Sequence, residues 1–153
     1  MVLVTGKSYH LKDSFFNLVN DNMLMSNKEN GGYRPHFCAI QDSSNSDIFW
    51  MIPISSKYSK YKQIHDRAVN HRGKCDKIVL GRFAGKDCAF LIQNAFCIKD
   101  IYVDHVHTVA GNAVTIHSGT VSEIESKLRT CLALKARGIN LFYTDIDNIK
   151  SKI

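Results

Sequence analysis

Three runs rich in β-branched and aromatic residues follow one another between residues 77 and 103: KIVLGRF, DCAFLIQ and FCIKDIYV, broken by the AGK turn at 84–86. Gaps this short leave no room for a crossover helix, so sequential strands here must run antiparallel. The same logic holds upstream. HFCAIQ (36–41) and the apolar stretch 48–54 flank DSSNSD, which is turn material, and together they predict a hairpin with a longer loop. Residues 3–9 are expected to form a short edge strand, and SNKENGG (26–32) reads as a loop by composition.

Helical periodicity occurs in three places. After Lys12-Asp13-Ser14, residues Phe15, Phe16, Leu18, Val19 and Met23 fit one stripe. Residues 60–72 form a second helix, with Ile64, Ala68 and Val69 inward, basic residues outward and Gly73 as the stop. The third, 120–137, carries the capping-box pairs Thr120/Glu123 and Ser122/Glu125, the stripe Ile124, Leu128, Cys131 and Leu132, and Gly138 at its end. A short segment follows at 145–150. The expected fold is α+β: a compact, highly twisted antiparallel sheet or barrel-like core with helices packed around it. No repeat, linker or low-complexity tract divides the chain, and residues 1–153 read as one domain.

Composition excludes other classes. Apolar residues make up 44% of the chain, too many for a disordered protein. No apolar run approaches the ~20 residues of a membrane span, and the first residues lack a signal-peptide core. Five cysteines, an odd number with no CxxC spacing, read as reduced core thiols in a cytoplasmic protein.

The formal charge of +6 is concentrated. Lys57, Lys60, Lys62, Arg67, Arg72 and Lys74 face only Asp66 within residues 57–74, with Tyr58, Tyr61 and His71 among them. A cationic segment with interleaved aromatics favours a polyanion whose unpaired bases can stack. Motifs for other chemistries are missing: there is no P-loop, GxGxxG, HExxH or GxSxG. His105 and His107 alternate along a strand without the further ligands that zinc requires, so no metal is assigned.

What remains is YRPH (33–36) beside PISSKYSKYK (53–62). In the expected hairpin the start of the first strand lies next to the end of the second, bringing Tyr33, Arg34 and His36 towards Ser55, Ser56 and Lys57. Cleaving RNA without a metal requires the 2′-hydroxyl to lose a proton, donors to stabilise charge at phosphorus, and the 5′-oxygen to gain a proton. Arg34 can grip phosphate oxygens in bidentate fashion, the serines can donate to them, and His36 is the natural proton-transfer group. A non-catalytic RNA-binding module would use the same cationic surface.

RPHF (34–37), FWMIPISS (49–56) and IVLGRFAGKDCAFLIQNAFCI (78–98) resemble the ToxN/AbiQ family of type III toxin–antitoxin endoribonucleases, with the CptN branch nearest. The resemblance implies a twisted antiparallel sheet related to the Kid/MazF toxins. It implies metal-independent, cofactor-free cleavage that leaves a 2′,3′-cyclic phosphate. It further implies a small repeated pseudoknot RNA as antitoxin, processed by the toxin and held with it in a closed protein–RNA assembly, and cellular RNA as the target of released toxin. By position it assigns the catalytic set to Arg34, Ser55, Ser56, Tyr33 and either Lys57 or Lys60; where relatives read S-P-K, this chain has Ser56-Lys57-Tyr58. The expected RNA-binding set is Tyr58, Lys60, Tyr61, Lys62, Arg67, His71, Arg72 and Lys74.

Overall fold

The hairpin expected between residues 36 and 54 forms the centre of the molecule. A computed structural model describes residues 2–153. Strand β4 (His36–Gln41) pairs antiparallel with β5 (Phe49–Ser55), with His36 opposite Pro53 and Gln41 opposite Phe49. The preceding elements are β1 (Ser8–Leu11), α1 (Asp13–Val19) and a small hairpin of β2 (Lys28–Glu29) and β3 (Gly32–Tyr33). After β5 come α2 (Tyr58–Arg72), β6 (Ile78–Phe83), β7 (Lys86–Leu91), β8 (Phe96–Ile98) and β9 (Val103–Val106). The chain ends with a hairpin of β10 (Thr108–Val109) and β11 (Asn112–Ala113), then α3 (Ser118–Ala136) and α4 (Ile146–Lys152).

The main sheet has the order β6-β7-β5-β4-β1-β9, with β8 also on β5, and every pairing is antiparallel. Strand β5 forks: Phe49–Met51 pair with β8, whereas Ile54 and Ser55 pair with β7. Both sheet faces are covered, which is why the strands read as nearly unbroken apolar runs. Phe37, Ile52 and Phe90 pack towards Ile124 and Leu128 of α3 and Ile146 of α4. Cys38, Met51 and Phe96 pack towards Phe15 and Val19 of α1 on the other side. A smaller cluster of Ile78, Ala89 and Leu91 receives α2.

Several expectations need correction. The sheet is open and does not close into a barrel: β6 and β9 are its two ends. Helix α3 lies against β6, where the Lys127 ammonium donates to the Ile78 carbonyl at 3.1 Å. Strand β1 starts at Ser8 and is internal, paired with both β4 and β9, because a turn with Gly6 at φ +91 occupies the residues before it. Helix α1 ends at Val19, since Asn20 adopts a left-handed conformation at φ 46. The segment 26–32 contains a hairpin, turned by Asn30 and Gly31 at φ 53 and 82. Helix α3 begins at Ser118, capped by the His117 ring, which accepts from the Gly119 amide; both expected capping boxes lie inside it. Ile64 and Val69 of α2 are exposed, and Tyr61 is the buried residue of that helix.

Candidate active site

The site begins with the two-residue turn at Asn30-Gly31. Positive φ at both positions is the geometry that continues the right-handed strand twist, and Asn-Gly is its favoured sequence. The turn places Glu29 over the end of β5. Its carboxylate accepts from the Arg34 guanidinium (Nη1, 2.6 Å), the Ser56 amide (3.0 Å) and the Ser55 hydroxyl (3.3 Å). Burial pushes the Glu29 carboxyl up, but the Ser56 hydroxyl and amide and the Arg34 charge outweigh it and hold the group below its ordinary range. Beside it, the Asn30 amide donates to the Ser56 hydroxyl at 3.0 Å.

Arg34 and the serine pair therefore converge, as strand pairing requires, but through a carboxylate that strand pairing alone does not supply. Arg34 is only 5% exposed. Its Nε donates to the Ser26 carbonyl at 2.8 Å, and Nη1 donates both to Glu29 and to the Ile54 carbonyl at 3.0 Å. A full two-pronged grip on a phosphate is thus closed to it; Nη2 takes no part in these bonds. Ser55 is buried and saturated, donating to Glu29 and accepting from the Lys57 amide at 3.2 Å. Ser56 is exposed, one residue before the N-cap of α2. Tyr33 is half-exposed; its hydroxyl donates to Asp13 at 3.2 Å and the Lys28 ammonium lies 5.3 Å from its ring centre.

His36 is a correction. It is fully buried, its Nδ1 is 3.1 Å from the Arg34 carbonyl, and its ring packs edge-on to Phe96. Burial, with the Arg34 charge second, pushes its pKa down to about 3. It is a neutral core residue that supports the Arg34 backbone, with no route for passing a proton to RNA. Tyr61 is a second correction. At 5% exposure, packed with Cys75, Ile78, Ala89 and Leu91, it cannot offer a face to a base. It lies beneath the site: burial raises its pKa, and the nearby Arg34 and Glu29 charges act on it in opposite directions.

The other α2 residues reach solvent, Tyr58 partly. Lys62 pairs with Asp66, and Lys74 with Asp76 at 3.6 Å. Lys57, Lys60, Arg67 and Arg72 have no acidic partner among the described residues. Lys57, Lys60, Arg67 and His71 lie along one helical face by their spacing. The Lys60 ammonium rests 5.2 Å from the Tyr61 ring centre, whereas Lys57 directly follows the exposed serine.

Ser56 and Glu29 also line a cleft of ≈ 210 Å³, together with Phe83, Lys86, Asp87 and His107. Sequence reasoning misses Glu29, Asn30 and, apart from Ser56, the residues of this cleft. The Asn-Gly pair is a usable signal for the first two; nothing local marks Lys86, and the alternation of His105 with His107 points to metal binding and not to this cleft. No group of three or more His, Cys, Asp or Glu among the described residues is arranged to hold a metal ion. No helix among them is long and apolar enough to cross a membrane.

No family model matches the sequence, and no curated protein matches it. Among solved structures, the fold is similar to that of AbiQ, a lactococcal anti-phage endoribonuclease belonging to the type-III toxin–antitoxin system. The two superpose with a TM-score of 0.68 over 97% of this chain and 96% of that chain, at 14% sequence identity. At that identity, what is shared is the fold: a mixed α/β arrangement built on an antiparallel sheet.

Proposed function

We propose that this chain is an endoribonuclease toxin of a type III toxin–antitoxin system, of the ToxN/AbiQ kind and nearest the CptN branch. It acts as one cytoplasmic domain and cuts RNA without a metal, leaving a 2′,3′-cyclic phosphate. The observation that carries the reading is the Glu29 carboxylate, which binds Arg34 and both serines and so fixes an exposed hydroxyl at the start of a cationic helix. The likeness to AbiQ supports it at the level of fold.

Each part has a task. The Ser56 hydroxyl accepts from Asn30, and its own proton, which faces the Glu29 carboxylate, turns to a phosphate oxygen when RNA binds. The first amides of α2 and the Lys57 ammonium add positive potential where charge builds on phosphorus. Glu29, held ionised and weakly basic by its partners, serves as a clamp and not as a base. Arg34 compensates that carboxylate and keeps the site from repelling an anion. Lys57 is better placed than Lys60 for the lysine role, because Lys60 rests against Tyr61. The unpaired cations of α2 would hold the phosphates of a pseudoknot antitoxin RNA in a closed assembly, and those of cellular RNA once toxin is released.

A non-catalytic RNA-binding module is the second reading, favoured by the commitment of most Arg34 donors inside the protein. Purified protein incubated with A-rich RNA in EDTA separates the two. The enzyme yields fragments with cyclic-phosphate ends by mass spectrometry, and Ser56→Ala stops cleavage while RNA still binds. Bound but intact RNA establishes the module, and absence of RNA binding rejects both.

A further inference from the structure

The cleft beside Ser56 has mainly apolar walls, including Pro35, Ile54 and Phe83, with polar groups contributed by Glu29, Ser56, Lys86, Asp87 and His107. That is the character of a small-ligand pocket, and its ≈ 210 Å³ suits one flat ring system better than a chain of phosphates. His107 lines it. The ring centres of His107 and Phe83 are 5.2 Å apart, and the His107 amide donates to the Ser8 carbonyl at 2.8 Å. On its other side, His107 Nδ1 lies 2.6 Å from His10 Nε2. Protein contacts thus hold the ring and occupy one of its two nitrogens.

We propose that this cleft seats one unpaired nucleobase of the RNA against the apolar wall to which Pro35, Ile54 and Phe83 contribute, and that His107 reads its edge as a hydrogen-bond donor oriented by His10. The proposal rests on the ribonuclease reading above. The charged and titratable groups around His107 are His10 on β1, Asp104 and His105 on β9, Lys86 and Asp87 on β7, and Glu29 on β2. Burial first, then the neighbouring His105, lowers the His107 pKa; burial and the two other imidazoles bring His10 down to about 4. Both rings are therefore neutral near pH 7, and a single proton lies between them.

The direction of that bond follows from His10 Nδ1, which is buried without a protein partner. If His10 accepted from His107, its own Nδ1–H would be an orphaned buried donor, the rarer and costlier case. If His10 Nε2–H donates instead, only a lone pair is orphaned. His107 then carries its proton on Nε2, the nitrogen left free for a ligand. A neutral imidazole N–H donates a hydrogen bond without transferring its proton, so the residue selects a base and performs no acid–base step.

The test uses short RNAs varied at each nucleotide flanking the cut, measured for cleavage and, with the reacting 2′-hydroxyl replaced by hydrogen, for binding. His107→Phe keeps a ring and loses the donor. It is expected to raise KM about 10-fold for the preferred base, with kcat changed far less, and to flatten base preference, as removal of a discriminating hydrogen bond does. His107→Gln places an amide N–H near the same point and is expected to restore the preference. Nitrogen-15 shifts of the imidazoles should show His107 protonated on Nε2 and perturbed by the blocked RNA. Unchanged preference in His107→Phe, equal loss in Phe and Gln variants, or the opposite tautomer overturns the proposal. If Ser56→Ala cleaves like the wild type, the catalytic reading fails by itself, while base preference in binding still decides the pocket.

Discussion

Replacing Glu29 by glutamine removes one negative charge from the centre of the site and little else. The side chain is 13% exposed and that of its partner Arg34 is 5% exposed, so the ion pair is largely shielded from water. Taking away one member of a buried pair costs about 3–5 kcal/mol because the other charge is left uncompensated. The single carbonyl oxygen of glutamine can still accept from the Ser56 amide, its NH2 group takes the place of the oxygen that accepted from Arg34 and Ser55, and Arg34 retains the Ser26 and Ile54 carbonyls. Those surviving hydrogen bonds bring the expected loss to about 2–3 kcal/mol. At roughly 2–4 °C per kcal/mol for a chain of this size, the melting temperature falls by about 4–12 °C. Because native stability is about 5–15 kcal/mol, the variant stays folded. The pH dependence supplies the sharper check. The Glu29 carboxyl is held below its ordinary 4.5, so its stabilising effect is complete above the unfolded value and is lost as pH falls through the folded one. Urea titrations should therefore show the gap between wild type and Glu29→Gln at its widest above pH 5, narrowing as pH drops below 4. A gap under about 0.5 kcal/mol at pH 7, the range of ordinary surface changes, or one that does not vary with pH, would refute the argument that this carboxylate clamps the site.

Three further outcomes are expected. Neutralising Lys60 and Arg67, neither of which has an acidic partner, should weaken binding to single-stranded RNA and reduce its salt slope by ~0.7 for each phosphate no longer neutralised, whereas Lys62→Gln, already paired with Asp66, should change the slope less. All five cysteines are buried and unbridged, and burial pushes the Cys38, Cys88 and Cys97 thiols up to about 12; a thiol reagent at pH 8 should label them slowly in the native protein and fully in urea. A methyl group at Gly81 would sit 2.9 Å from the Thr120 methyl and 3.2 Å from the Phe90 ring, so Gly81→Ala should cost about 1–3 kcal/mol by urea titration through pressure on the packing of β6 against α3.

The elements easiest to read are those with one strong local signal. HFCAIQ coincides with β4, and Gly73, at φ 79, ends α2 where its backbone freedom suggests. Errors arise where tertiary packing overrides local pattern. Ile64, Ala68 and Val69 offer α2 an inward face, yet the helix buries Tyr61, which shares the 61-65-68 spacing and fills the gap above Ile78, Ala89 and Leu91. FCIKDIYV reads as one strand, but β8 pairs with β5 and β9 with β1, so the run breaks at Asp100–Tyr102 into a 3₁₀ turn. In the site, Arg34 and Ser56 can be brought together from strand pairing alone. Glu29 cannot, because its position depends on the turn at Asn30-Gly31, and composition makes that stretch look like plain loop. Residue type misleads at His36: imidazole chemistry suggests a proton carrier, while its strand position faces the interior. His107 is separated from Ser56 by 51 residues, and only the pairing of β1 with both β4 and β9 brings their regions together.

The most direct test is a structure of the Ser56→Ala protein bound to a short RNA whose reacting 2′-hydroxyl has been replaced by hydrogen. The scissile phosphate is expected at the start of α2, in contact with the residue-56 methyl and within hydrogen-bonding distance of the Lys57 ammonium, with Glu29 still joined to Arg34 beneath it. RNA lying along α2 with every phosphate far from residue 56 would contradict this placement.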